Sequence, residues 1–581
     1  MRIVYVEVDN FRGIKSLRWA PSPKVNCLIG PGDSTKTTIL DAIEFAMNPR
    51  SYSIADDSDF YNLDYDQPIR VVVTVGGLPT EFTADDRYGM HLRGWNPETL
   101  SIEDEPRSGL EDVLSLRAIV DKTHEVRWSL HNDRIEADTE VDPPSVRHKD
   151  IASFATTRLG PYAERHLSWG RLSVLNRLGD DAEALRGQLA DASRAARAAF
   201  AAGNPNAFEE IVRRAEYLSK QFGVPVRERY AAQLDVQGVN ITASGISLHD
   251  GKLPLRRLGA GSSRLIVSAL QHEAGGSHVA LIDEIEHGLE PHRIARLLKH
   301  LSSPSTKESG ADTQPQIFCT THSPVVLREL TAGELWAVRC SNGKTKVQSI
   351  SAAAKTNGVA QRHLRQEPGA FLAHRIVVCE GRTEQGLARG LDHYWAAKGE
   401  LDSFAVKGAV AIDGHGNGSA PILADHLISL GYEVLLLLDT DEKVDDVVLQ
   451  ALKAKGVVVL EWPGGCSTEE RMFLDLPWSV VIKLVAFAAE CVTADSVKAQ
   501  INRECKASDL SELAGLDLPA TLNSTAFRAV LGRAAKNENR GWFKDITRGE
   551  QLAEILAPHL DQIADKPLSQ GIALLRNWID A

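Results

Sequence analysis

"GPGDSTKTT", Gly30 to Thr38, stands between the apolar run "KVNCLI" and the segment "TKTTILDAIEFAMN". In that segment Ile39, Ala42, Ile43 and Ala46 recur at helical spacing, so the stretch reads strand, loop, helix. Gly30, Lys36 and Thr37 fill their places in a phosphate-binding loop of the form G-x-x-x-x-G-K-[ST]. In such a loop backbone N–H groups at a helix start point at phosphate. Lys36 would reach the β- and γ-phosphates, Thr37 would bind Mg²⁺, and Thr38 follows in the same nucleotide-contacting turn. The sixth position, however, is Thr35 and not glycine, and Asp33 also replaces a common glycine. An atypical loop with slow hydrolysis is therefore expected.

Further motifs follow in order. "RLGAGSSRL", Arg257 to Leu265, is a glycine-serine turn entering a helix. "VALIDEIEHGLEP", Val279 to Pro291, is an apolar strand ending in Asp283 and Glu284. An aspartate there supports the Mg²⁺ shell, and the adjacent glutamate polarises the attacking water. "TTHSP" comes after another strand and places His322 where a γ-phosphate sensor would sit. Each alone also reads as a tight turn, an acidic strand end or a loop histidine. This order, with "FRGI" after the first strand, resembles the ABC-type ATPase head of recombination and chromosome-maintenance proteins. The resemblance implies that two heads sandwich ATP, with Gly259, Gly261 and Ser262 of one chain acting on the nucleotide held by the other. "LGAGSS" departs from the common L-S-G-G form.

Length and composition set bounds on this reading. A chain of 581 residues predicts several domains, and 43% hydrophobic with 25% charged residues is a globular composition. No apolar run is long enough to span a bilayer, and "MRIVYVEVDNFRGI" lacks the pattern of a signal peptide. The seven cysteines stand singly, which suggests neither a disulfide framework nor a cysteine zinc site, so a reducing cytoplasm is expected. The net charge of -13 argues against coating nucleic acid by electrostatics alone, without excluding DNA as a substrate. An alanine- and arginine-rich stretch within about 145–230 reads as a helical insertion, either a solvated arm or a dimerisation element. Strands are also expected at "HEVRWSLHN" and "GVNITASGISL", and a surface loop at "SSPSTKESGADTQPQ".

Beyond residue 366 a new β-α alternation begins, predicting a parallel sheet. "VVCEGRTEQGLARGL" puts Glu380 at a strand end and Glu384 at a helix start. "VLLLLDTDEK" ends an apolar strand with Asp439 and Asp441 on one side of the chain. Four carboxylates in one crevice are costly unless cations neutralise them, and hard oxygen ligands favour Mg²⁺ or Mn²⁺. Taken singly, E-G-x-x-E reads equally as a helix cap and D-x-D as a solvated strand end. The glycine-rich "AIDGHGNG", Ala411 to Gly418, reads as a turn of the sheet, and the segment about 477–539 as packed helices.

This half resembles a Toprim domain, and its fusion to an ABC-type head resembles the OLD (overcoming lysogenization defect) family of ATP-dependent endonucleases, relatives of the Gabija defence nuclease. The fold implied is α/β: an ATPase head over 1–366 and a Toprim nuclease domain over 367–581. From "GCSTEERM" the resemblance implies Ser467 and Glu469 as further metal ligands, and from "NRGWFKDITRGEQL" Lys544 beside the scissile phosphate. One ion would be held by Glu380, Glu384 and Asp439, and a second near Asp439, Asp441, Ser467 and Glu469. DNA cleavage, ATP and Mg²⁺ or Mn²⁺ at both sites, a homodimer or higher homo-oligomer, and a possible helicase-like partner follow from it, in antiphage defence or DNA repair. The competing expectation is a DNA-clamping ATPase with a non-catalytic Toprim-like module. No tyrosine context suits a topoisomerase, and no zinc motif suits a primase.

Overall fold

The computed structural model describes residues 1–48, 57–136, 146–147, 150–160, 166–168, 173–175, 182–203, 208–222, 224, 226–227, 229–232, 246–274, 278–301, 315–351, 357–400, 402–536 and 541–581. Its strands in chain order are β1 (Arg2–Phe11), β2 (Ile14–Trp19), β3 (Val25–Ile29), β4 (Ile69–Gly76), β5 (Arg93–Asn96), β6 (Ser101–Glu103), β7 (Glu111–Val120), β8 (Val126–Leu130) and β9 (Thr157–Leu159). A short hairpin, β10 (His249–Asp250) and β11 (Leu253–Pro254), precedes β12 (Val279–Ile282), β13 (Gln316–Thr320), β14 (Leu335–Ser341) and β15 (Lys344–Ser349). Last come β16 (Arg375–Cys379), β17 (Ala409–Asp413), β18 (Glu433–Leu438) and β19 (Val458–Glu461).

Among the described residues a 13-stranded mixed sheet runs β6-β5-β7-β4-β1-β2-β15-β14-β3-β13-β12-β9, with β8 attached to β7. Its first arm is antiparallel: in β1 the buried Val6 and Val8 alternate with half-buried Glu7 and Asp9, a strand wet on one face. Its other arm is parallel, and β3 and β13 are buried along their whole length, as their unbroken apolar runs require. Cys27 pairs with Cys319 and Leu281 with Phe318, so β3, β13 and β12 end at one edge. That edge carries Gly30, His322 and Asp283.

The second sheet, β17-β16-β18-β19, is parallel throughout. Leu435 and Leu437 of β18 face a core with Leu387 and Leu391 of the helix Arg382–Lys398. Leu436 and Leu438 face the opposite core, with Leu427 of the helix Ala420–Ser429 and Leu449 of the helix Asp446–Ala454. The neighbours β16 and β18 thus send their following helices to opposite faces, which opens a crevice at their carboxyl ends. The core on the Leu436 side is continuous with the large sheet: Ile29, Val326 and Ala337 belong to the same cluster as Phe371, Ile376 and Tyr432.

The alanine-rich stretch contains the helices Ala182–Ala202 and Glu209–Gln221; much of the remaining insertion lies outside the described residues. So do most of "GVNITASGISL" and nearly all of "SSPSTKESGADTQPQ". Between 477 and 539 stand the helices Trp478–Val492, Ala494–Ala507 and Thr525–Ala535.

Candidate functional sites

The phosphate-binding loop leaves β3 at Gly30 and enters the helix Lys36–Met47. Asp33 (φ 56°) and Thr35 (φ 69°) adopt the left-handed conformation that glycine takes without strain. Thr35 is held there by its hydroxyl, 2.6 Å from the Ser34 carbonyl and 3.1 Å from Thr345 Oγ1 of β15. Gly30 has no such freedom to be replaced, since a Cβ would lie 2.6 Å from the Val338 carbonyl oxygen. Lys36 Nζ folds over the loop, donating to the carbonyls of Gly30 (3.1 Å) and Pro31 (2.6 Å) and to Ser34 Oγ (3.2 Å). Burial, aided by the Arg339 charge, brings its pKa down to about 8. Thr38 lies half-buried one residue beyond Thr37.

Asp283 Oδ1 accepts from Thr37 Oγ1 at 3.1 Å and from Thr320 Oγ1 at 2.7 Å, joining the edges of the three parallel strands. Glu284 (φ 44°) donates its backbone N–H to Thr320 Oγ1 at 2.8 Å and turns its side chain outward, 56% exposed. Glu286 braces the sensor loop, accepting from Thr321 Oγ1 (2.6 Å) and from the His322 N–H (2.7 Å). Burial lowers the His322 pKa, and the Lys36 charge lowers it further, as expected for a ring facing the phosphate loop. The glycine-serine turn is tied elsewhere. Gly261 presses on Gly288, where a Cβ would meet the Gly288 carbonyl oxygen at 2.0 Å, and Ser262 Oγ accepts from Arg293 Nη1 at 3.2 Å. Gly259, one residue before the helix Ala260–Ala274, is exposed.

At the carboxyl end of the second sheet Glu384, Asp439 and Glu469 converge, with one oxygen of each within 4.8 Å of the others. They are 5%, 8% and 5% exposed. Glu384 enters from the first turn of Arg382–Lys398, accepting from the Gly381 N–H at 3.0 Å. Asp439 caps β18, and its Oδ1 accepts from both the N–H (2.9 Å) and the hydroxyl (2.8 Å) of Thr468. Glu469 stands in the first turn of the helix Thr468–Asp475. Burial and mutual repulsion push the Glu384 pKa up to about 8 and that of Asp439 well up. Glu469 is raised mainly by burial, with Lys544 pulling the other way. Buried hard oxygens held against their own repulsion fit a Mg²⁺ or Mn²⁺ ion.

The remaining acidic residues surround this triad. Glu380 accepts from the Asp439 N–H at 2.8 Å, and burial raises its pKa to about 7. Asp441 pairs with Lys536 at 2.9 Å, and Lys536 also reaches Glu470 at 3.3 Å. Ser467 is the N-cap of the helix Thr468–Asp475, accepting from the Glu470 N–H at 3.2 Å. Lys544 is exposed, between the buried Trp542–Phe543 pair and Asp545, the N-cap of the helix Ile546–Leu556.

Residues 25–328, more than half of the chain, match a family described as "AAA domain, putative AbiEii toxin, Type IV TA system". The chain belongs to this family. The matched stretch contains the phosphate loop, Asp283, Glu284 and His322, and the AAA domain is an ATPase fold. Solved structures similar to the chain include an Smc head bound to the C-terminal winged-helix domain of ScpA, at 14% identity over 60% of this chain and 97% of that one, with a TM-score of 0.33. The SMC head domain from Thermotoga maritima shares 16% over 60% and 99%, with a TM-score of 0.29. The Smc head with an extended coiled coil bound to the C-terminal domain of ScpA, derived from Pyrococcus furiosus, shares 14% over 60% and 95%, with a TM-score of 0.29. No curated protein matches the chain. None of the described helices is long and apolar enough to cross a membrane.

Several residues of these sites escape motif reading. In the AAA domain, Arg264 is 1% exposed and donates to the carbonyls of Gly160 (3.2 Å), Asp283 (2.8 Å) and Glu284 (3.0 Å), joining the glycine-serine helix to the acidic strand end. Arg158 bridges Asp41 (2.9 Å) and Asp283 (3.6 Å). Thr320, Arg264 and Thr468 lie inside or beside quoted motifs, yet their hydrogen bonds depend on strand neighbours remote in sequence. Lys536 carries no motif signal.

Proposed function

We propose that this chain is an ATP-binding and ATP-hydrolysing, divalent-metal-dependent DNA endonuclease. In this reading an ABC-type ATPase head spans 1–366 and a Toprim nuclease domain spans 367–581, as in the OLD family. The observation that carries it is the buried triad of Glu384, Asp439 and Glu469 at the crevice between β16 and β18. A solvated acidic surface needs no burial of mutually repelling carboxylates, and a module that only binds DNA gains nothing from them.

Glu384, Asp439 and Glu469 would hold Mg²⁺ or Mn²⁺, with Glu380 and Asp441 available for a second ion. Bound there, the ions would supply Lewis-acid stabilisation of the charge that develops on phosphate. Thr468 orients Asp439 by two hydrogen bonds, and Glu380 braces the same turn through the Asp439 N–H. Lys544 offsets charge on the scissile phosphate. In the AAA domain Lys36 and Thr37 would hold the ATP phosphates and Mg²⁺, Asp283 would support that ion, Glu284 would polarise water, and His322 would sense the γ-phosphate. Gly259, Gly261 and Ser262 would act across a homodimer. The setting is cytoplasmic antiphage defence or DNA repair, with a helicase-like protein as a possible partner.

The test is plasmid cleavage by the purified chain in Mg²⁺ or Mn²⁺, with and without ATP, beside Asp439→Ala. Metal-dependent nicking or linearisation that is lost in the variant is the expected result. ATP turnover stimulated by DNA without cleavage would instead establish a DNA-clamping ATPase.

A further inference from the structure

We propose that Lys536 is a built-in counter-ion of the crevice: its ammonium holds Asp441 in place of a second divalent cation, so a second ion binds only by displacing it. The inference deepens the nuclease reading above and rests on it. Asp441 stands two residues beyond Asp439, and Glu470 directly follows Glu469, so each is the near neighbour of a triad member. Lys536 Nζ lies 2.9 Å from Asp441 Oδ2 and 3.3 Å from Glu470 Oε2. It thereby ties the turn after β18 to the first turn of the helix Thr468–Asp475, the two segments that supply Asp439 and Glu469. Asp441 stays within electrostatic reach of the site, since its charge helps to raise the pKa of both Glu380 and Glu469.

A firmly packed helix delivers the lysine. Lys536 is the C-cap of the helix Thr525–Ala535, which packs on Thr468–Asp475 at three points. At one end Arg528 Nη1 donates to the carbonyls of Phe473 (2.8 Å), Leu474 (3.2 Å) and Leu476 (2.8 Å). In the middle Gly532 presses on Glu470, where a Cβ would lie 2.7 Å from the Glu470 Cα. At the other end stands the Lys536 ion pair itself. Glu470 is fixed in turn: its Oε2 accepts the Ser467 N–H at 3.0 Å, and its own N–H donates to Ser467 Oγ at 3.2 Å. The side chains of Lys536 and Asp441 are 33% and 21% exposed, so ions in solution reach the pair. An ammonium brings one positive charge, whereas Mg²⁺ brings two and draws oxygens to about 2.0–2.1 Å. The exchange breaks the Lys536–Asp441 pair and is driven by the carboxylates of Glu380, Glu384, Asp439 and Glu469. One ion is therefore bound tightly by the triad and a second weakly, with Lys536 setting the difference.

The experiment titrates the full chain with Mn²⁺, reading total binding by calorimetry and paired ions by electron paramagnetic resonance. Two Mn²⁺ ions in one crevice couple magnetically, which separates them from ions bound singly elsewhere. Lys536→Met keeps the length of the side chain and Lys536→Gln keeps a donor for Asp441, and both remove the charge. Each is expected to tighten the second ion about 10–100-fold, the scale on which removing a unit charge at close range in a half-buried site acts. Lys536→Arg keeps the charge and should match wild type, a contrast that a merely structural role would not give. Adding Asp441→Asn to Lys536→Met should abolish the coupled signal. An unchanged second-ion affinity in both neutral variants, equal tightening in Lys536→Arg, or a coupled signal that survives Asp441→Asn would each overturn the inference. Failure of wild type and both neutral variants to bind Mn²⁺ in the crevice would remove the nuclease reading and this inference together. One ion bound tightly in every variant, with no coupled pair, would remove the inference alone.

Discussion

Glu284 and Thr468 show how single side chains shape the two candidate sites. Glu284 leaves β12 in a left-handed conformation that turns its carboxylate outward beside Asp283, which is bound to Thr37 and Thr320. Replacing it by glutamine keeps its size and removes its basicity. Glu284→Gln is expected to lower ATP turnover by about 10²–10⁴-fold while nucleotide binding, read by a fluorescent ATP analogue, stays within error of wild type. Thr468 is fully buried, gives Asp439 two hydrogen bonds and accepts one from Trp462 Nε1 at 2.8 Å. Thr468→Val removes the hydroxyl at constant shape. Loss of such a supporting contact typically weakens metal affinity about 10–100-fold, and calorimetric titration with Mn²⁺ would measure it. An unchanged affinity would show that Asp439 does not hold the ion.

At the scale of elements, the helices Arg382–Lys398 and Ile546–Leu556 bring together residues far apart in sequence. They cross at small residues: a Cβ on Gly386 would lie 2.2 Å from the Ile546 carbonyl oxygen, and one on Gly549 would lie 2.5 Å from that of Thr383. Thr383 Oγ1 donates to the Phe543 carbonyl at 3.2 Å, so the segment bearing Lys544 is locked to the helix that starts with Glu384. Gly386→Ala forces backbones apart at a close-packed crossing, which typically costs about 1–3 kcal/mol. The expected outcome is a lower denaturant midpoint together with a loss of cleavage larger than the loss of Mn²⁺ affinity, because Lys544 is displaced more than the triad. Equal losses would place Lys544 outside the reaction.

Across the whole molecule, the burial of carboxylates that one fold brings together has a pH signature. The pKa of Glu380 rises from 4.5 to about 7 and that of Glu384 from 4.5 to about 8, chiefly by burial, while Asp439 also shifts upward. Above their ordinary range the folded chain keeps protons that the unfolded chain has released, so stability falls as pH rises. His363, lowered by burial from 6.5 to about 3, has the opposite sign below pH 6.5, and Lys36 does so only above about 8. Between pH 6.5 and 8 Glu367, raised by burial from 4.5 to about 7, acts in the same direction as the acidic cluster, and the lowered N-terminal amine opposes both, so Glu384→Gln serves as the control for the cluster. Without divalent ions the Tm is expected to fall across that window, and Mg²⁺ or Mn²⁺ should raise it more at pH 8 than at 6.5. A flat Tm, or a fall that is just as steep in Glu384→Gln, would show that the carboxylates are not held together in solution.

The nucleotide half was legible because its chemistry is local. "GPGDSTKTT", "VALIDEIE" and "TTHSP" each carry a strand end and its loop residues within a few positions, and the apolar runs of β3 and β13 mark them as buried parallel strands. The E-G-x-x-E and D-x-D strand ends were legible for the same reason. Tertiary structure alone decided which carboxylates meet. Strand order places β18 beside β16, and the turn into the helix Thr468–Asp475 carries Glu469 inward while Asp441 turns to Lys536. It also tied the loop "AIDGHGNG" to the ends of two other strands, Gly414 and Gly416 to β16 and Asn417 to β18, which spacing along one segment cannot reveal. Local patterns encode how a segment folds and which groups stand at its end. Hydrogen-bond partners and electrostatic neighbours depend on packing between segments, where contacts are set by burial and shape.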